Sequence, residues 1–320
     1  MRSRKNIFIT GGAGFIGSHL IERLLDDHRV TIYDNLTRNA VQFTDLLHHP
    51  NLTFIQGDVL EAAKLAEAMQ GAEICVHAAA IAGIYSVGKN ATLTMKVNFL
   101  GAYHALEAAV GNRVKRFIDF STSEVYGPFV YRGKESDETT LGVVGEKRWV
   151  YAVSKLASEH FAHSYAEEYG ITVNSIRPFN VYGPRQVGEG AVQQIVKRAL
   201  RNEDITIFND GTQIRSWCYV TDFVDGLCQA IFRDDLANQV FNLGNPQATV
   251  TVLGLAETIV RMTGSRSRFV FKPHPGPEVE MRVPDISKAR QQLGYEPKVG
   301  LEEGLARSIA WYRQHLDDPR

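Results

Sequence analysis

Cysteine is scarce in this chain, and no apolar segment is long. The 320 residues include three cysteines, Cys75, Cys218 and Cys228, which are widely spaced and form no CxxC pair. This pattern predicts neither a disulfide framework nor a metal site, and free thiols are typical of a reducing cytoplasm. No apolar run approaches the roughly 18 residues that a membrane span needs, so we expect no membrane partner.

Neither sign of charge is in excess. The 35 lysines and arginines nearly balance the 36 aspartates and glutamates, which gives a formal net charge of −1. We therefore expect no nucleic-acid partner, and any phosphate must bind to local arginines or helix ends. A strand pattern starts within a few residues of the first residue, so we expect no signal peptide and a cytoplasmic protein.

Glycines are clustered between two apolar segments near the start of the chain. Residues 5–10 are β-branched and aromatic, four glycines lie among residues 11–17, and a helical pattern follows. Glycines allow a tight turn and let the backbone approach a pyrophosphate, which binds at the helix N-terminus. The order therefore predicts a dinucleotide site formed by Gly11, Gly14, Phe15, Ile16 and Gly17.

Asp34 ends a second strand-like run, at residues 29–33, and follows Gly14 by twenty positions. A carboxylate there can accept hydrogen bonds from both ribose hydroxyls and would repel a 2′-phosphate, which favours NAD over NADP. Arg38 is a nearby cation that could tolerate that phosphate. The alternative interpretation of Asp34 is a turn residue.

Strand-like and helical segments alternate over the first half of the chain. Short runs rich in Ile, Val and Phe recur at residues 5–10, 29–33, 52–56, 74–77, 116–121 and 172–177. Segments with helical periodicity lie between them at residues 61–69, 93–110 and 151–169. This alternation predicts an α/β fold with a Rossmann-type doubly wound parallel sheet.

The alternation stops after residue 177. Loops rich in Gly, Pro and charge are predicted at residues 183–190 and 274–284, beside apolar helices at residues 191–200 and 252–262. We expect an NAD-binding domain at residues 1–178 plus about 222–247, and a smaller lobe at residues 179–221 and 248–320. The polar tail at residues 317–320 is expected to be frayed.

Tyr151 and Lys155 lie four residues apart in a predicted helix, which places both on one face. An ammonium near a phenol favours phenolate, so Tyr151 can act as a base, and Lys155 can also reach a ribose hydroxyl. Thr122 and Glu124 follow a predicted strand, where ligands bind in open parallel sheets. A surface Tyr–Lys pair and a solvated loop glutamate are the alternatives.

These motifs, taken in order, resemble the extended short-chain dehydrogenase/reductases that modify nucleotide sugars. The shared segments are TGGAGFIGSHL, YDNL, GDV, HAAA, VNF, STSEVYG, YAVSK and RPFNVYGPR. The resemblance implies NAD that is reduced and reoxidised within one turnover, with Thr122, Tyr151 and Lys155 as the catalytic triad. It implies that the smaller lobe binds a nucleotide sugar.

The resemblance also assigns binding residues to this sequence. It implies further NAD contacts from Asn35, Asp58, Val59, Ala78, Ala80, Asn98, Tyr151, Lys155 and Pro178. It implies substrate contacts from Ser123, Asn180, Arg185, Arg215 and Arg282, with Asn180 and Arg215 holding the diphosphate. The planar fork of arginine suits phosphate oxygens.

The reaction implied first is decarboxylation of UDP-glucuronate. The Ser123–Glu124 pair is the pattern of UDP-glucuronate decarboxylases, and residues 280–286, EMRVPDI, are similar to a segment of theirs that carries a functional arginine, here Arg282. Residues 146–151, EKRWVY, resemble the decarboxylase domain of the aminoarabinose pathway. A 4-keto uronate loses CO2 readily, so the enzyme mainly orients the carboxylate and protonates C5.

Other reactions stay open. An NDP-sugar 4-epimerase and then a 4,6-dehydratase are the alternatives, because residues 186–191 differ from the usual decarboxylase loop. Ser123 stands where dTDP-glucose dehydratases carry Asp, although GDP-mannose dehydratases use a Thr-Ser-Glu arrangement. An inactive NAD- and sugar-sensing protein is disfavoured by the intact triad.

A homodimer is implied by the resemblance. The helices predicted at residues 93–110 and 151–169 are those that form a four-helix dimer interface in this family. Their apolar residues include Leu100, Tyr103, Leu106, Leu156 and Phe161.

Overall fold

The computed structural model describes residues 4–274 and 276–316. Its strands are, in chain order, β1 (Asn6–Thr10), β2 (Arg29–Asp34), β3 (Leu52–Gln56), β4 (Ile74–His77), β5 (Arg116–Phe120), β6 (Phe129–Gly133), β7 (Thr172–Pro178), β8 (Val181–Tyr182), β9 (Ile205–Phe208), β10 (Ile214–Ser216), β11 (Cys218–Tyr219), β12 (Gln239–Leu243), β13 (Thr249–Thr251), β14 (Phe269–Lys272) and β15 (Met281–Pro284). The tail at residues 317–320, predicted to be frayed, lies outside the described residues.

The helices connect these strands. The α-helices are α1 (Phe15–Leu24), α2 (Ala62–Ala68), α3 (Ile84–Lys89), α4 (Ala91–Met95), α5 (Gly101–Gly111), α6 (Val150–Tyr169), α7 (Ala191–Arg201), α8 (Val220–Phe232), α9 (Val252–Thr263), α10 (Ser287–Leu293) and α11 (Leu301–Gln314). Short 3₁₀ turns lie at Val41–Phe43, Leu46–His48, Ser123–Tyr126 and Lys147–Trp149. Across the described ranges, no helix is both long and apolar enough to cross a membrane.

Within the described residues, seven parallel strands form the large sheet, in the order β12, β7, β5, β4, β1, β2, β3. The strands alternate with helices that cover both faces, which is why they are apolar on both sides. Ile7 and Ile9 pack on the face covered by α1 and α8, whereas Phe8 packs on the face covered by α2, α5 and α6. The predicted doubly wound parallel fold is confirmed.

A second sheet has the order β13, β10, β15, β6. The expectation of a loop throughout residues 274–284 is wrong at its end, because residues 281–284 form β15. Arg282 and Val283 are buried there, since β15 pairs with both β10 and β6. Long-range pairing thus overrides the local Gly, Pro and charge content.

Two segments cross the domain boundaries expected from the sequence. Strand β6 belongs to residues 1–178, yet it pairs with β15 of the second sheet. Ile286, Ala289 and Tyr295 belong to the expected smaller lobe, yet they pack into the core under the large sheet. The chain therefore exchanges one strand for one helical segment between the two parts.

The helix predicted at residues 93–110 is present but is not uniform. It consists of α4, a π-helical turn at Lys96–Leu100, and α5. Such wide turns inside α-helices are frequent at functional sites. Asn98 lies in this turn and is fully buried, so its amide must form hydrogen bonds within the protein.

Candidate active site

The glycine turn after β1 leaves an open backbone surface at the start of α1. Gly11 has φ +71°, and a Cβ there would lie 2.6 Å from Ala79 N, so only glycine fits. A Cβ on Gly17 would lie 2.4 Å from Gly12 O, so α1 packs directly on the turn. Gly14 is the N-cap and has no side chain to occupy the first-turn amides of Phe15 and Ile16. A pyrophosphate fits this helix end.

Asp34 lies at the end of β2, where its carboxylate accepts hydrogen bonds from Ala13 N (3.0 Å) and Leu36 N (2.7 Å). Burial raises the pKa of Asp34, while these two backbone donors lower it. Arg38, the nearby cation, is engaged by other residues, because its guanidinium donates to Ala82 O (2.7 Å) and Ser86 Oγ (3.2 Å).

The neighbouring strand end completes this side of the cleft. Asn35 Nδ2 donates to Asp58 Oδ2 (3.0 Å), and Val59 is buried against Gly101. These residues lie beside Asp34, because β2 pairs with β3 up to Asp34 and Gln56. The structure thus brings together the residues expected to hold the adenosine half of NAD.

Asn98 fixes the loop that follows β4. Its Nδ2 donates to Ile81 O (3.1 Å) and to Ser154 Oγ (3.1 Å), and its Oδ1 accepts from Ile81 N (2.8 Å). The side chain therefore ties the loop that carries Ala78 and Ala80 to helix α6. In this structure Asn98 thus positions the loop after β4.

Tyr151 and Thr122 meet where β5 ends and α6 begins. Desolvation by the surrounding protein raises the pKa of Tyr151 to about 12, while a hydrogen bond with Thr122 lowers it. Glu124 and Asp119 raise this pKa, and Arg38 lowers it. The chain alone therefore keeps the phenol protonated at neutral pH, so the expected phenolate requires additional positive charge.

Lys155 lies one turn further along α6 and is 1% exposed. Burial lowers the pKa of its ammonium, while Asp119 and Glu159 raise it. Within residues 4–274 and 276–316, Nζ has no hydrogen-bond partner. A buried ammonium with free donors is costly unless a ligand oxygen reaches it, and a ribose hydroxyl fits this need.

Glu124 lies between two arginines. Arg148 Nη2 donates to Oε1 (3.1 Å) and Oε2 (3.0 Å), and Arg282 Nη1 donates to Oε1. Burial raises the pKa of Glu124, but Arg282 and Arg148 outweigh burial and hold this pKa below its usual range. Sequence reasoning did not name Arg148, although it belongs to the EKRWVY segment.

Arg215 lies beside Arg282, because the two are register partners on β10 and β15. Burial first, and then the Arg282 charge, lower the pKa of Arg215 to about 10. Its guanidinium donates to Val279 O (2.6 Å) and Ile214 O (2.9 Å). Asn180 Nδ2 donates to Ser216 O (3.0 Å), so Asn180 also borders this strand.

The remaining candidates fall in different places. Ser123 is buried between Thr122 and Glu124, and Pro178 ends β7. Arg185 does not join the Arg215–Arg282 pair. Its guanidinium instead makes two hydrogen bonds of 2.6 Å to Glu22 on α1 and one of 2.6 Å to His19.

A clasp formed by Glu189 connects two loops above the strand ends. Glu189 accepts from Tyr85 N (2.8 Å), Ser86 N (2.9 Å) and Ser86 Oγ at the start of α3. Its carboxylate also lies 3.7 Å from Arg38. Hydrogen bonds of Glu189 therefore connect the loop of residues 183–190 to the segment that follows β4.

Asp119 generates a pH-dependent prediction, because burial raises its pKa from 3.8 to about 6. At a pH between these two values, the Asp119 carboxyl is protonated in the folded chain and ionised in the unfolded chain. Its contribution to stability therefore falls as the pH rises through 6. We compare the free energy of unfolding of Asp119→Asn with that of the native chain. We expect the difference to shift in favour of Asp119→Asn by about 1–3 kcal/mol when the pH rises from about 4 to about 8.

Urea unfolding at both pH values measures this change, with Asp26→Asn, at an exposed position, as the matched control. A stability difference between Asp119→Asn and the native chain that stays constant with pH would contradict the prediction.

Comparisons with known proteins agree with this geometry. A family model described as NAD dependent epimerase/dehydratase family matches residues 7–244. The UDP-N-acetyl-alpha-D-glucosaminuronate decarboxylase of Bacillus cytotoxicus is 32% identical over 98% of this chain and 100% of its own length. UDP-glucuronic acid decarboxylase 1 of Arabidopsis thaliana is 36% identical over 98% of this chain and 71% of its own length.

A solved structure extends the comparison to the fold. The UDP-glucuronic acid 4-epimerase of Bacillus cereus, in complex with UDP-glucuronic acid and NAD, matches with a TM-score of 0.89 at 30% identity. The match covers 97% of this chain and 99% of that chain. The resemblance noted in the sequence is confirmed, and the chain belongs to the NAD dependent epimerase/dehydratase family.

Proposed function

We propose that this chain is an NAD-dependent enzyme that decarboxylates UDP-glucuronate through a 4-keto sugar, giving UDP-xylose or UDP-4-keto-xylose. The observation that carries the proposal is the Glu124 carboxylate, which is held between Arg282 and Arg148. It is close enough to Tyr151 for its charge to raise the pKa of the phenol. Two relatives named as decarboxylases of UDP-linked uronates, at 32% and 36% identity, support it.

The chain's own groups have separate tasks in this reaction. Tyr151, with Thr122, holds the sugar 4-oxygen and takes its proton, and Lys155 holds a ribose hydroxyl. NAD⁺, when bound, supplies a hydride acceptor and a positive charge. A carboxylate β to the resulting ketone loses CO2 readily, so Arg282 needs mainly to orient it.

The arginines hold Glu124 as a carboxylate, so Glu124 is not the proton donor for a hydroxyl that leaves in 4,6-dehydration or for C5 after loss of CO2. Decarboxylation is favoured instead by the two arginines beside Glu124, which suit a substrate that carries a carboxylate. The second candidate is 4-epimerisation of a UDP-uronate, which the UDP-glucuronic acid 4-epimerase of similar fold supports.

The proposal divides the cleft between two ligands. NAD is assigned to the glycine turn, Asp34 and the Asn98-fixed loop, in the domain of residues 1–178 plus about 222–247. The UDP-sugar is assigned to residues 179–221 and 248–320, with Ser123, Asn180, Arg215 and Arg282 as contacts. Arg185 is given a structural role, since its guanidinium pairs with Glu22 and so connects its loop to α1. A cytoplasmic location stays a prediction.

The first experiment is incubation of the purified protein and NAD with UDP-glucuronate, followed by mass spectrometry of the nucleotide sugar. We expect loss of one CO2, because Arg148, Arg282 and Arg215 lie close together and suit a carboxylate. The mass of the product also reports whether hydride returns to the sugar. An unchanged mass with a new 4-epimer by NMR would replace decarboxylation by epimerisation.

Tyr151→Phe removes the phenolic proton acceptor without changing the size of the ring. We expect turnover to fall by at least about 100-fold, the lower range for loss of a general base, while NAD binding persists. Steady-state rates measure turnover, and titration with NAD, followed by the tryptophan fluorescence of the protein, measures binding. Turnover that matches the unmodified enzyme would contradict the assignment of Tyr151.

We infer a homodimer formed through α5, α6 and the π turn. Leu100 and Tyr103, three residues apart, are 40% and 37% exposed there, so apolar surface is left uncovered on neighbouring turns. Light scattering at micromolar concentration is expected to give twice the chain mass of 35.7 kDa. Leu100→Glu is expected to lower this mass, and a monomeric unmodified chain would contradict the inference.

A further inference from the structure

Arg148 is joined to the active site through Glu124. Every hydrogen bond that the described chain gives its side chain goes to this carboxylate, from Nη2 at 3.1 and 3.0 Å. Arg282, in contrast, also donates to Gly127 O (2.6 Å), so part of its fork supports the backbone. Arg148 therefore has no comparable role in holding the fold.

The charges around Glu124 do not balance. Arg148 and Arg282 each contact its single negative charge, and Arg215 lies next to Arg282. Among the described residues, the Nε atoms of Arg148 and Arg282 are buried and have no hydrogen-bond partner. Buried guanidinium groups with unused donors are costly, so the site has the charge and the donors for a second anion.

The element that carries Arg148 is held to the protein by Trp149 and leads directly to Tyr151. Lys147–Trp149 is a 3₁₀ turn at the start of α6, and Trp149 is buried with Nε1 donating to Glu146 Oε2 (2.9 Å). Trp149 also lies against Gly142, where a Cβ would come within 1.9 Å of the indole nitrogen. Arg148 thus keeps a fixed position three residues before the catalytic tyrosine.

We propose that Arg148 is a specificity-determining residue that binds the carboxylate of a uronic-acid sugar, shared with Arg282. The two arginines and the two carboxylates, one from Glu124 and one from the sugar, form a neutral group of four. A neutral hexose leaves one positive charge unpaired and is selected against. This inference rests on the proposed function, because it names the group by which that site recognises its substrate class.

The test measures binding of UDP-glucuronate and UDP-glucose to the full chain saturated with NADH, which prevents oxidation of the sugar. Isothermal titration gives both dissociation constants for the native chain, Arg148→Met, Arg148→Lys and Lys147→Met. Lys147 is the matched control, because it is an exposed cation in the same turn. Circular dichroism verifies that each variant is folded.

Arg148→Met is expected to weaken UDP-glucuronate binding by about 10- to 100-fold, the range for one hydrogen bond to a charged group. UDP-glucose binding is expected to change by less than about threefold, within the range of surface substitutions. Arg148→Lys retains the charge without the fork, and we expect a smaller selective loss. Lys147→Met is expected to leave both affinities unchanged.

Equal weakening of both sugars would assign Arg148 a structural role and overturn the inference. Unchanged selectivity in both Arg148 variants, or a native chain that does not prefer the uronate, would also overturn it. These outcomes are independent of turnover. Selective uronate binding without CO2 release would retain the role of Arg148 and reject decarboxylation, whereas CO2 release with unchanged selectivity would reject the role of Arg148 alone.

Discussion

The ion pair between Glu124 and Arg282 is the contact on which the arrangement of this site depends. Glu124 follows β5 of the large sheet, and Arg282 lies on β15 of the second sheet. This hydrogen-bonded pair therefore joins the second sheet to the end of β5, which Thr122 follows. Because Arg282 is 2% exposed, this pair works in a medium of low dielectric constant, where charge placement has large effects.

A second line of buried charge runs behind the triad. Lys155 lies near Asp119 and Glu159, and Glu159 accepts hydrogen bonds from Arg177 (2.6 and 3.1 Å). Arg177 also donates to Tyr126 (2.8 Å), next to the Glu124 turn. The charge of the Lys155 ammonium is thus compensated by the carboxylates of Asp119 and Glu159.

Sequence reasoning succeeded where the determinants are local and was incomplete where they are long-range. The glycine turn and the Tyr151–Lys155 spacing are set within a few residues, so the turn before α1 and the helix α6 could be predicted. Arg282 pairs with Glu124 across 158 positions, and only the family resemblance indicated it. Composition alone misassigned β15 as a loop, and neither approach revealed the π turn at Asn98 or the partner of Arg185.

The Glu189 clasp has a consequence for how the two loops can separate. Its carboxylate belongs to one loop but satisfies the first amides of a helix in another, so the loops separate only when these hydrogen bonds break together. Breaking these hydrogen bonds is a local event at one helix end, and it leaves the packed cores under both sheets intact.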